Sequence, residues 1–178
     1  MGESEAQEGR LEVALDRDWA SGYLEQARAD LLGAKAIGTA SPSTAAMLWQ
    51  MVFEKFAKAA LLRQGIVSLA NVRSSHRAAS KMILFLRHQP PIFALLGGSK
   101  VWEDVLRIVF ELEAAHPQIA AAHAPQLEYP WEDMNGVIQW PDRHLQVARA
   151  LSDPTRGLGP RLLRFADLMS QQFDKMFP

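Results

Sequence analysis

Four side chains of complementary chemistry lie within nine positions: Arg73, His76, Arg77 and Lys81. Guanidinium and ammonium groups hold phosphate charge, and an imidazole moves protons near neutral pH. The spacing predicts that His76, Arg77 and Ser80 or Lys81 share a face at the start of a helix, where free backbone N–H groups also favour an anion. Basic residues at a helix start oppose its dipole, a conflict that a bound nucleotide or other phosphate would relieve. The plainer alternative is a solvated basic face with His76 as a cap or packing residue. For a catalytic role, Arg73 and His76 would have to converge on one scissile phosphate, the first stabilising charge and the second transferring a proton.

Other constellations are weaker. Gly97-Gly98-Ser99-Lys100 lacks the spacing of a phosphate-cradling loop and follows no strand, so a helix cap is expected. His116 and His123 would face one way only on a continuous helix, which Pro117 interrupts, and only Glu113 stands near as a further ligand; no metal site is expected. Glu111 with Glu113, and Glu132 with Asp133, are spaced to point apart, as solvated or partner-facing acids. Tyr129, Trp131, Met134 and Trp140 fall in a proline-rich segment and either fold back onto the protein or face a partner. Serine-nucleophile motifs and dinucleotide fingerprints are absent, and no cofactor is expected.

The chain has 178 residues and no cysteine, with 48% hydrophobic and 22% charged residues. That composition fits one globular domain and excludes disulfides and thiolate chemistry. The net charge of −1 gives no general attraction to nucleic acid. Its distribution is uneven: residues 55–107 hold nine Lys/Arg against two acids, while residues 108–142 hold six acids and no Lys or Arg. The two blocks either pair within the fold or leave a basic face. No apolar run reaches the length of a membrane span, and the start of the chain lacks the basic and apolar regions of a signal peptide. A cytoplasmic protein is expected, with residues 1–12 as a flexible acidic tail and residues 13–178 as one domain.

Helices must position these groups, since strand patterns are nearly absent. The first is expected over Asp16–Ile37, with Leu24, Ala27, Leu31 and Ala34 inward and Gly38 as its stop. Ser41-Pro42 opens a second helix to Gln64, with Leu48, Val52, Phe56, Ala59 and Leu62 inward and Gln50, Glu54 and Lys58 on the wet side. A third begins near Ser75 and stops at Pro90-Pro91. A single turn over Ile92–Leu96 precedes a fourth helix, Lys100–Ala115. Four prolines mark residues 117–141 as a long loop, with one turn at Gln118–His123. A fifth helix over Pro141–Leu151 and a last one over Arg161–Met176 complete an all-α, antiparallel bundle of five to six helices.

Ala27-Arg28-Ala29-Asp30-Leu31 on the first expected helix, Glu54-Lys55-Phe56-Ala57-Lys58-Ala59-Ala60-Leu61-Leu62 followed by Gly65 on the second, and Ser75-His76 at the start of the third together resemble the HEPN family. Glu128-Tyr129-Pro130 and Pro141-Asp142 resemble its later Tyr-Pro and Pro-led sections. The likeness spans about residues 19–150. It implies a helical bundle that homodimerises and acts with a nucleotidyltransferase or another effector, in contact with a nucleotide or RNA. Ribonuclease members carry Arg, four to six residues, then His. Here Arg73 precedes His76 by three, Arg107 precedes His116 by nine, Arg77 precedes His88 by eleven, and Arg143 adjoins His144. A non-catalytic binding module is therefore expected, with a diverged ribonuclease using Arg73 and His76 as the alternative. A third possibility, a substrate-binding subunit, would show a pocket lined by Trp49, Trp102 and basic residues.

Overall fold

The computed structural model describes residues 3–178, with side chains described from residue 16 onward. In backbone, the first helix begins at Glu3 rather than at the expected Asp16 and so takes in part of the expected tail at residues 1–12. Among the described residues the chain forms α1 (Glu3–Ile37), α2 (Pro42–Arg63), α3 (Leu69–Arg73), α4 (Ala78–Arg87), α5 (Pro90–Leu95) and α6 (Gly98–Ala114). A two-residue ladder, β1 (Trp131–Glu132) with β2 (Ile138–Gln139), precedes α7 (Pro141–His144), α8 (Gln146–Ser152) and α9 (Leu158–Met176). Six of these helices have seven residues or more, in keeping with a mostly helical packed protein.

The helical hairpin α1/α2 organises the rest. Gly38 turns the chain at φ 51°, and Pro42 opens α2 with a ring that needs no helical N–H partner. Leu24, Ala27, Leu31 and Ala34 are buried against α2, as their spacing requires. Small residues at Ala27 and Ala34 let the two backbones approach. The opposite side of α2 meets α4, α6 and α8. Phe53 and Phe56 meet α9 through Phe165 and Phe173, with ring centroids 6.2 and 5.9 Å apart. Trp102 of α6 sets its edge against Phe165 and donates Nε1–H to the Phe93 carbonyl at 3.2 Å. Trp49 and Trp102 are both core residues, so neither opens a pocket.

Three expectations about elements need correction. The third helix does not begin at Ser75. Ser74 and Ser75 turn their hydroxyls back to the Asn71 and Val72 carbonyls, finishing α3, and α4 begins only at Ala78. The fifth helix is two pieces: Leu145, at φ −73° and ψ 107°, leaves helical geometry to bury its side chain and starts α8 afresh. The segment 117–141 contains the antiparallel pair Trp131↔Gln139 and Glu132↔Ile138. Asp133 accepts the backbone N–H groups of Asn135 and Val137 and thereby shapes the turn between the strands.

Candidate functional site

The polar stripe of α2 is not wet. Gln50 and Lys58 are each 5% exposed, and Glu54 sits between them. Their i, i+4 spacing gives one face, and residues 73–76 and 115–116 cover it. Lys58 Nζ lies 2.8 Å from Glu54 Oε1 and donates to the Arg73 carbonyl at 3.1 Å. Gln50 donates to Glu54 Oε2 at 2.6 Å. A buried ammonium and carboxylate survive desolvation only when paired and hydrogen-bonded in this way. Burial works to raise the Glu54 pKa; the hydrogen bonds from Lys58 and Gln50, with the Lys58 charge, outweigh it and hold the carboxyl below its usual range.

Two imidazoles complete this cluster. His76 comes from the turn before α4 and His116 from the end of α6, and their rings stack with centroids 4.5 Å apart. His76 Nδ1 lies 3.3 Å from Glu54 Oε1, and His116 Nε2 lies 3.9 Å from Glu54 Oε2. Among the described residues, His76 Nδ1 is nevertheless buried without a hydrogen-bond partner. His116 Nδ1 accepts the Gln118 backbone N–H at 3.2 Å. Burial is the main cause that lowers the His116 pKa, against the opposing pull of Glu54, and so favours the neutral ring.

One edge of His76 lines a cleft of about 690 Å³. Its walls are apolar, from Ala60 and Leu61 of α2, Met82 and Phe85 of α4, Ile119 and Phe177. Arg77 and Lys81 stand at its polar side. Among the described residues neither makes an ion pair, and the same holds for Arg73, Arg87 and Lys100. The basic block therefore does not neutralise itself against the acidic one; Arg107 with Glu111, four residues apart, is the pair that joins them among the described residues.

The structure thus brings His76, Arg77 and Lys81 to one cleft and turns Arg73 elsewhere. The Arg73 guanidinium stacks over the Trp19 indole, 4.7 Å from its centroid. Arg77 is the residue before α4, not part of its first turn. The N–H of Ser80, within that first turn, is already satisfied by the buried Glu113 carboxylate at 3.1 Å, so the helix dipole meets a protein anion from α6.

Sequence reasoning misses Glu54 as a site residue and sets His116 beside the wrong imidazole, His123. The spacing of Glu54 and Lys58 signalled a pair but not its burial, and nothing local links position 116 to position 76. His123 goes elsewhere, bonding the Glu132 carbonyl at 3.2 Å from a left-handed backbone of φ 63°. Gly97, at φ 110°, starts α6 as the expected cap. Trp131 packs into the core, while Tyr129, Met134 and Trp140 remain exposed. No helix among the described residues is long and apolar enough to cross a membrane. Comparison with protein-family models, curated proteins and solved structures finds no match to the chain.

Proposed function

We propose that the chain is a HEPN-like helical module that binds an anionic ligand of nucleotide type in the cleft beside His76. The observation that carries this reading is the divided character of the cleft. Apolar walls suit a base or sugar face, and Arg77 and Lys81, without an ion pair among the described residues, stand where a phosphate would lie. The α1/α2 hairpin, with Glu54 of the second helix beside His76, supports the family reading. That reading carries with it a homodimer and a nucleotidyltransferase or other effector as partner. Exposed Leu95 of α5, which does not line the cleft, is apolar surface available for such contacts.

The test is fluorescence anisotropy with a labelled adenine nucleotide and a labelled single-stranded RNA. Saturable binding is expected, weakened about tenfold or more in Arg77→Ala/Lys81→Ala, since each charge-assisted contact contributes about 1.5–3 kcal/mol. Binding that is absent, or unaffected by the double substitution, would sink the reading. Sedimentation of the free protein reports the dimer.

One observation favours a second reading, a diverged ribonuclease. His76 lines the cleft, with the Glu54 carboxylate 3.3 Å behind its buried Nδ1, a position from which a small shift would orient the ring for proton transfer. Arg73, turned to Trp19, does not face it, and Arg77 and Lys81 supply the positive charge instead. RNA cleavage by the native chain that disappears in His76→Ala would establish this reading; no cleavage by either would remove it.

A further inference from the structure

The cluster of Glu54, His76 and His116 has a property that phosphate binding does not use. Each residue offers one ligand atom, and the three atoms lie within 4.8 Å of one another. We propose that they form a binding site for a divalent transition-metal ion of the zinc class.

Geometry is the first support. Zinc bonds of about 2.0–2.1 Å at tetrahedral angles place neighbouring ligand atoms about 3.3–3.4 Å apart. His76 Nδ1 lies 3.3 Å from Glu54 Oε1, at that value, and His116 Nε2 lies 3.9 Å from the other oxygen, Oε2, a little beyond it. The second support is the orphaned nitrogen. His76 Nδ1 is buried and close to a carboxylate, yet the pair makes no hydrogen bond. A buried nitrogen without a partner is left desolvated and uncompensated, and a metal bond from its lone pair would remove that penalty. Third, the ligands come from α2, from the turn before α4 and from the end of α6, so packing of three elements sets their positions before any ion arrives. Two imidazoles and one carboxylate suit zinc, cobalt or nickel rather than magnesium or calcium.

Two groups oppose the ion, and they make the proposal testable. Lys58 shares Glu54 Oε1, so its ammonium would stand beside a dication. Its ammonium already donates to the Arg73 carbonyl and would keep that bond while giving up Glu54, and an anionic fourth ligand would offset the remaining charge. The Gln118 N–H on His116 Nδ1 places the proton of the neutral ring on Nε2. Coordination through Nε2 reverses that tautomer and requires the exposed Gln118 peptide to turn away.

The experiment is a Co²⁺ titration of the full chain, followed by visible absorption and repeated with Zn²⁺ by calorimetry. One ion per chain is expected, with the intense bands of a low-coordinate cobalt site. His76→Asn and His116→Asn should each abolish it, with circular dichroism confirming the fold. Lys58→Gln, which removes the competing charge and keeps a donor for Arg73, should tighten binding by about tenfold or more. No saturable uptake by the native chain, uptake that survives His116→Asn, or affinity that fails to rise in Lys58→Gln would each overturn the proposal. These outcomes leave the nucleotide reading standing, because its test removes Arg77 and Lys81 and needs no metal.

Discussion

The Glu113 carboxylate of α6 accepts the Ser80 backbone N–H of α4 at 3.1 Å, with both residues buried. This contact, rather than a side chain of α4 itself, satisfies one N–H of the first turn. Glu113→Ala should lower unfolding free energy by about 2 kcal/mol, from an orphaned donor and a lost charge–dipole interaction. Glu113→Gln keeps an acceptor and should lose less. Urea denaturation measures both, and an unchanged midpoint for Glu113→Ala would show that the contact contributes nothing.

Lys58 and Glu54 form a pair that neither partner can leave alone. Lys58→Met should destabilise by about 3 kcal/mol, because the carboxylate remains in place without its cation. Adding Glu54→Gln should restore part of that loss, although Lys58 also serves the Arg73 carbonyl. A double-mutant cycle by chemical denaturation reads the coupling, and additive losses would mean that the pair does not interact energetically.

Gly159 lies where α9 meets the end of α8. A Cβ there would sit 2.5 Å from the Leu151 carbonyl oxygen. Gly159→Ala must push the two backbones apart, at about 2–3 kcal/mol. A thermal midpoint equal to that of the native protein would refute the close approach.

Asp133 should make the β1/β2 turn sensitive to acid. The backbone N–H groups of Val137 and then Asn135 are the main causes that hold its pKa below the usual 3.8. Its folded value is depressed, so the ordering that it contributes is present above pH 3.8. That ordering is lost as pH falls through the lower folded value. Amide resonances of Asn135 and Val137 should shift together in that acid range, and Asp133→Ala should abolish the transition. Shifts that persist in the variant would assign the change to another group.

Helices were readable where a single face decides them. Leu24, Ala27, Leu31 and Ala34 repeat at helical spacing, and α1 buries them; Pro42, Gly38 and Pro90 mark ends that the backbone respects. The start of α4 was not readable, because its cap, Glu113, arrives from thirty-three positions away. The same holds for the site. His76, Arg77 and Lys81 are neighbours in the chain and share a cleft, whereas His116 joins them only through the packing of α6. Gln50, Glu54 and Lys58 look like a wet stripe because buried polar residues carry the same local pattern as exposed ones. What differs is the cover that residues 73–76 and 115–116 provide, and that cover is tertiary.

The α1/α2 hairpin has a four-residue connection, and the chain between the other contributors to the cluster is much longer. Short loops close fast and long ones slowly. The hairpin should therefore assemble first, with Lys58 and Glu54 paired to each other but still hydrated. Docking of residues 73–76 and 115–116 then dries them. Helix signal in a stopped-flow refolding experiment should precede recovery of binding at the cleft, so the last kinetic step of folding is also the one that creates the site.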